Sequence, residues 1–501
     1  MVVTACLPAG ADPSETPQTS VVTSTPAATP TQELLGTTEA GDGGFVVVDT
    51  AQGQCYDTAE AVSCPAEGQA FRGQDAQYAG AQARYDDNGD GTVTELQTGL
   101  MWQQDPGEKL TYAEALAGAD AFDLAGYDDW RLPSIKELYS LILFSGVDVS
   151  GWQATEGAVP FIDTDYFIFQ YRDTSQGERL IDSQYASSTV YVHQTMGGDE
   201  TVFGVNFADG RIKGYGISVH GEDKTFFVLY VRGDSRYGSN EFVDNGDGTV
   251  TDLATGLMWM LSDSGAYGAG SGGDGALYWE EALSWCEDLS LAGLSDWRLP
   301  DAKELQSIVD YSRSPATSNS PAIDPIFNTT SITDEGGGAN YPFFWTSTTH
   351  QGGRVEGGFA VYVAFGEALG WMRPPSGEYE LLDVHGAGAQ RSDPKSGDAA
   401  DYPYGNGPQG DVVRILNYAR CVRGGGVLPA AGEEPPEGSS PAATPTQPAP
   451  QDGPPEGGSP PQEAIDACTG ANEGGACQFV APAGTVVGVC RRVETVLACV
   501  P

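Results

Sequence analysis

The sequence predicts an α+β fold built twice in tandem, and three observations predict it. The first is an internal duplication. DNGDGTV stands at residues 87–93 and 244–250, TGLMW at 98–102 and 255–259, and AGYDDWRLPSIKEL at 125–138 matches AGLSDWRLPDAKEL at 292–305. The second is the order of elements within each copy. Two helical patterns precede a run of short alternating strands, the segregated order of an α+β domain. The third is a shared ending, Val-Arg-Gly, at 231–233 and 422–424.

Residues 1–41 are rich in Thr, Ser, Pro and Ala, cannot bury enough apolar surface to order themselves, and read as a stalk. Residues 42–83 hold a β-prone run, Phe45-Val46-Val47-Val48, and a loop bounded by Cys55 and Cys64. The first copy spans 84–235 and the second 236–426. In each, a strand (92–94, 249–251) leads to TGLMW, and a helix follows (111–122, 278–289). Pro133 and Pro300 precede second helices, 134–144 and 301–311. Their Leu138, Leu141, Ile142 and Leu305, Ile308, Val309 keep the i, i+3, i+4 spacing of one buried face. Strands are expected at 201–207, 225–231, 358–365 and 412–423. The second copy carries a glycine-rich insertion around 265–275. Residues 427–465 are a linker extended by prolines and acids, and 466–501 a small four-cysteine module stapled by disulfides.

Seventy acidic residues against 24 basic ones give a formal net charge of −46. That charge excludes nucleic acid and acidic membranes as partners, because binding them relies on Lys and Arg neutralising phosphates. Four histidines leave little material for a histidine metal site or a triad. No apolar stretch is long enough to span a membrane as a helix.

Nine cysteines point to an oxidising compartment outside the cytoplasm. Cys55 and Cys64 lie close together. Cys286 aligns with Ala119 of the first copy and Cys421 with Tyr230, so both are absent where one is absent. A bonded pair behaves this way, and a Cys286–Cys421 disulfide is predicted. Cys468, Cys477, Cys490 and Cys499 allow three connectivities, which stay open. Pairing these eight leaves Cys6. Val3-Thr4-Ala5-Cys6 resembles a lipoprotein lipobox, so Cys6 is the expected lipidation site, a tether that does not span the bilayer.

Asp86, Asn88 and Asp90 begin a calcium-loop pattern, D-x-N-x-D-G, but Gln97 stands where a bidentate Glu belongs, and Val243 opens the second copy. The stronger reading is a turn between two strands, with glycines supplying positive φ. No cofactor is required, with calcium as the one candidate. Arg131 and Arg298, between Trp and Leu, are expected to be buried and paired with Asp129 or Glu137 and with Asp296 or Glu304. Trp102, Trp130, Trp259 and Trp297 recur and read as core anchors. Tyr341, Phe343, Phe344, Trp345, Tyr362, Trp371, Tyr402 and Tyr404 offer a carbohydrate platform or a core. Enzyme signals are poor: GAGSGG at 268–273 is a lone match inside the insertion, and no P-loop, nucleophile elbow or H-E-x-x-H is present. No residue is nominated as catalytic, and the chain is read as a non-enzyme.

The series DNGDGTVT, TGLMW, DWRLPxxKEL and the closing Cys-Val-Arg-Gly resembles the Lcl C-terminal domain, a bacterial family of unknown function, over roughly 84–426 in two copies. The resemblance implies secreted or surface proteins, often lipoproteins, including a collagen-like adhesin that binds sulfated glycosaminoglycans. It implies a C-type-lectin-like fold and carries over no catalytic residue. The acidic charge departs from that adhesin, since like charges repel a sulfated polymer. The function expected is therefore extracellular adhesion at the bacterial surface or matrix, through neutral glycans or surface proteins. The alternative is a self-assembling filament in which Phe45, Val46, Val47 and Val48 add as a strand to the next subunit.

Overall fold

The first repeat begins with the turn its sequence spells. β1 (Tyr85–Asp87) and β2 (Thr92–Glu95) run antiparallel across DNGDG, and β3 (Met101–Gln103) adds to β2. Gly89 and Gly91 take φ of 73° and 88°, the left-handed region that favours glycine. The computed structural model describes residues 44–219, 221–352, 356–374, 377–430, 468, 476–481, 484–493 and 496–500. Cys6, the 1–41 stalk and most of the 427–465 linker lie outside them. Helix α1 (Tyr112–Ala119) opens on a capping box, in which Thr111 and Glu114 satisfy each other's amides. Helix α2 (Ile135–Ser140) does the same with Ser134 and Glu137. It is shorter than expected because the next amides find tertiary partners: Phe144 N donates to Thr50 O at 2.7 Å. A meander follows, β4 (Gln184–Thr195), β5 (Asp199–Asn206) and β6 (Arg211–Gly216), and β7 (Val231–Arg232) returns to β3.

The second repeat copies this plan. β8 (Phe242–Asp244), β9 (Thr249–Asp252) and β10 (Leu257–Met260) precede helices α3 (Trp279–Glu287) and α4 (Ala302–Ser307). Then come β11 (Phe343–His350), β12 (Phe359–Ala364), the hairpin β13 (Leu369–Met372) and β14 (Glu380–Asp383), β15 (Gln390–Pro394) and β16 (Val422–Gly424). The expected strand 412–423 forms only at its end, and 225–231 is divided among partners: Phe227 meets Tyr185 and Val231 meets Trp102. The fold is mixed helix and strand, mostly sheet. At the far end β17 (Ala476–Ala481), β18 (Gly484–Val493) and β19 (Val496–Val500) form a three-stranded sheet. There Cys468 bonds Cys490; the side chains of Cys477 and Cys499 lie outside the described part.

The duplication predicts two domains in tandem, and one six-stranded sheet joins them, in the order β11-β12-β15-β6-β5-β4. Each repeat donates its three-stranded meander. The equivalent inner strands, β6 and β15, meet antiparallel, with Ile212 opposite Gln390. This is the geometry of a twofold dimer inside one chain, in which the same patch of each repeat meets its own equivalent.

The KEL lysines obey the same symmetry. Lys136 Nζ donates to Ser307 O at the end of α4, at 2.6 Å, and Lys303 Nζ donates to Ser140 O at the end of α2, at 2.9 Å. Each lysine thus caps the orphan carbonyls of the other repeat's helix. Burial pushes both ammonium groups down to about 8. One hydrophobic core runs through both repeats, from Trp102 and Phe203 to Trp259 and Val361.

Phe45–Val48 lie over this junction. Phe45 N donates to Ala254 O at 2.9 Å, its ring meets Tyr237 at 5.0 Å, and Tyr237 Oη donates to Val46 O at 3.1 Å. Val47 packs on the shared core, and Val48 bridges Ala81 in parallel. The segment occupies a seat within its own chain, and addition to another subunit would first withdraw Phe45 and Val48 from it.

Candidate functional site

Three stretches distinguish the second repeat from the first: the loop 265–275, the hairpin β13–β14, and the loop 396–411 that follows β15. They surround two adjoining clefts of about 390 Å³ and about 340 Å³, which share Glu335, Arg414 and Leu416. Trp371 comes from the hairpin, Tyr402 from the loop after β15, and Asp274 from the glycine-rich insertion.

Aromatic groups crowd the mouth of the larger cleft. Tyr404 is 51% exposed, meets Trp371 edge-on at 6.4 Å and stacks on Tyr379 at 3.8 Å. The tyrosine pair is kept at the surface by backbone rather than by core packing. Trp371 N donates to Gly410 O at 2.7 Å, and Asp411 pairs with Asn406 and bridges Gly370. At Gly410, φ is 59° and a Cβ would fall 2.2 Å from Trp371 O, so only glycine fits this approach. Asp411 pins the loop from below, taking Arg391 on one oxygen and His385 Nε2 on the other at 2.9 Å. Burial, and then the Arg391 and Lys213 cations, hold His385 well below the usual imidazole range. It is therefore a neutral donor to Asp411.

A strained turn divides the clefts. Ile415 has φ of 64°, a costly conformation for a β-branched residue. Asp393 Oδ2 holds it by accepting from Arg414 N at 3.0 Å, Ile415 N at 3.3 Å and Asn417 Nδ2 at 3.1 Å. This turn is what breaks the strand expected at 412–423. Arg414 lies over the Phe343 ring at 3.9 Å and gives Nε and Nη2 to Glu335 at 2.9 and 3.2 Å.

Of the expected carbohydrate platform, Phe343, Phe344, Trp345 and Tyr362 are core residues, each no more than 2% exposed. Trp371 and Tyr402 line the cleft, and Tyr404 meets Trp371 edge-on beside it. The other motif residues build scaffold. Arg131 makes a bidentate pair with Glu137 at 2.6 and 2.5 Å, and Arg298 with Glu304 at 2.5 and 2.6 Å. Asp129 and Asp296 serve instead the arginines of Val-Arg-Gly, Arg232 and Arg423, each at 2.6 Å. Trp102, Trp130, Trp259 and Trp297 are all buried. In the DNGDG turns, Asp90 accepts from Thr92 Oγ1 at 2.6 Å and Asn88 donates to Thr92 Oγ1 at 2.9 Å; Asp247 and Asn245 repeat both bonds. Asp86 is exposed on β1 opposite Thr94. Among the described residues no group of three or more His, Cys, Asp or Glu is arranged to hold a metal ion.

Cys55 bonds Cys64, and Cys286 bonds Cys421, tying α3 to the approach to β16. In the first repeat Tyr230 Oη makes the equivalent tie, donating to Ala115 O in α1 at 2.8 Å.

The family model of the Lcl C-terminal domain matches residues 91–232 and 248–380, together more than half of the chain. The chain belongs to the Lcl C-terminal domain family. No curated protein and no solved structure matches it. Surface association is the trait this family suggests, and among the described residues no helix is long and apolar enough to cross a membrane.

The two Lcl C-terminal domains coincide with the repeats, but the second match stops at 380. Tyr402, Tyr404, Asp411, Arg414 and Asn417 lie beyond it. Tyr402 and Tyr404 stand on the loop 396–411, which the first repeat lacks, whereas Arg414 and Asn417 belong to the approach to the shared Val-Arg-Gly ending. Sequence reasoning missed Glu335, Tyr379, Arg414 and Asn417. The signal available was partial: the second copy is longer than the first at 265–275 and between β12 and the closing Val-Arg-Gly, but the stretch that carries Ser331, Thr333 and Glu335 is shorter than its counterpart.

Proposed function

We propose that the chain is a non-catalytic adhesion protein of the bacterial surface or matrix, whose second repeat binds a neutral glycan beside Trp371. The observation that carries this reading is the group formed by half-buried Trp371 with exposed Tyr404 and Tyr379, beside a cleft to which two added stretches contribute Trp371 and Tyr402. Aromatic faces offer flat apolar surface to a sugar ring, and their polar edges tolerate water. The cleft falls in the usual size range of small-ligand sites. The net charge of −46 disfavours sulfated polymers and favours neutral ones. Three disulfides fit an extracellular address. Two helices, a strand meander and a disulfide from helix to final strand also fit a C-type-lectin-like repeat, the fold we assign. The reading requires no cofactor.

The test is binding of the full chain to immobilised neutral glycans, with Trp371→Ala and Tyr404→Ala compared. Each substitution is expected to weaken binding about tenfold, roughly 1.4 kcal/mol. Binding that survives both substitutions, or no binding to any neutral glycan, would overturn the proposal.

A further inference from the structure

The smaller cleft differs in chemistry from the aromatic one. Its walls include Asp274, Ser331, Thr333 and Asn417. Two of its polar side chains are left with a buried atom that finds no protein partner: Arg414 Nη1 and Asn417 Oδ1. Arg414 is 9% exposed in its side chain and Asn417 is 1% exposed. Their other atoms are committed, Arg414 Nε and Nη2 to Glu335 and Asn417 Nδ2 to Asp393. Glu335 and the Phe343 ring hold the Arg414 side chain, and Asp393 holds that of Asn417. Buried polar groups are almost always satisfied, and orphans beside an opening mark where a partner belongs. One orphan is a donor and the other an acceptor. A hydroxyl group is both, and a surface of hydroxyls serves both kinds of orphan.

An anion fits this cleft poorly. Glu335 already neutralises Arg414, and Asp274 adds a carboxylate to the wall. The shared Glu335, Arg414 and Leu416 make the two clefts one groove with a ridge across it. One side offers aromatic faces and the other hydrogen-bonding groups, a division that suits successive units of one polymer.

We infer that the polar cleft is a second sugar subsite, so that the ligand is a chain of neutral sugars laid across the Arg414–Glu335 ridge. This rests on the glycan reading of the aromatic cleft. The two subsites contribute differently: the aromatic cleft stacks one ring, and the polar cleft bonds the hydroxyls of another. Units bound together on one chain gain affinity because the second contact is intramolecular.

Calorimetric titration of the full chain tests this with two series, glucose, cellobiose and cellohexaose, and N-acetylglucosamine, chitobiose and chitohexaose. In the series that binds, the hexamer is expected to bind at least about tenfold tighter than the monomer. Substituting the exposed Asp274→Ala and Thr333→Ala together should remove most of that gain, bringing the hexamer's affinity down toward the monomer's. Trp371→Ala should weaken monomer and hexamer alike. Equal affinity for monomer and hexamer, both still lost in Trp371→Ala, overturns the second subsite and leaves the glycan reading standing. A hexamer advantage that survives Asp274→Ala with Thr333→Ala also overturns the subsite, because it then comes from the number of ways a long chain can bind one site. No binding to either series overturns the second subsite, and no binding to any other neutral glycan besides overturns the glycan reading with it.

Discussion

Replacing Cys286 and Cys421 together by alanine is expected to cost about 4–5 kcal/mol of stability. The bond closes a loop with a sequence separation of 135, so its removal frees much unfolded-state entropy. Both sulfurs belong to fully buried residues packed with Trp279 and Trp297, so alanine also leaves the core underfilled. The first repeat supplies a control. Tyr230→Phe breaks the equivalent helix tie but removes one hydrogen bond, and about 1 kcal/mol is expected. Urea unfolding without reductant measures both. A midpoint unmoved by loss of the two cysteines would show that α3 is held by packing alone.

Arg298→Ala is expected to cost about 3–5 kcal/mol, because it strands Glu304 without its partner in a buried site. The two side chains are 5% and 2% exposed. In the equivalent pair Glu137 is as buried as Glu304, at 2%, but Arg131 is 28% exposed, so water can take the place of the lost guanidinium and Arg131→Ala should cost less, about 1–3 kcal/mol. Arg298→Met combined with Glu304→Gln should recover most of the loss. The amide keeps an acceptor for the Asp301 N–H, which Glu304 takes at 3.0 Å, and no charge is left unpaired. Denaturant midpoints for the three variants check this. If Arg298→Ala and Arg131→Ala cost the same, burial does not set the strength of the pair.

What the sequence made legible was local. The DNGDG turns depend on glycines and side chains within a few residues, and the DWRLPxxKEL pairing of Arg with Glu spans six positions. The Cys286–Cys421 bond is long-range, yet it could be read because the duplication supplies its own comparison: Ala119 and Tyr230 replace both halves at once. The joining of the repeats was not legible. Lys136 and Lys303 look like ordinary exposed helix lysines, and only the fold brings them against the other repeat's helix ends. β11 is buried at every position and so shows no alternation for a period-of-two reading to detect. The cleft was half legible. Trp371, Tyr402 and Tyr404 stood out as aromatics, but separating them from the core residues Phe343 and Trp345 needed the loops that lift them to the surface. Arg414 and Asn417 carried no signal, because their role follows from a turn at Ile415 held by the distant Asp393.

The central claim is that the two Lcl C-terminal domains form one cooperative body through the β6–β15 join and the reciprocal lysines. Native-state hydrogen exchange of the full chain in rising urea tests it most directly. Core amides of β5 and β6 in the first repeat and of β12 and β15 in the second should merge into one unfolding isotherm with one free energy. Separate isotherms, with either repeat opening while the other stays protected, would contradict it.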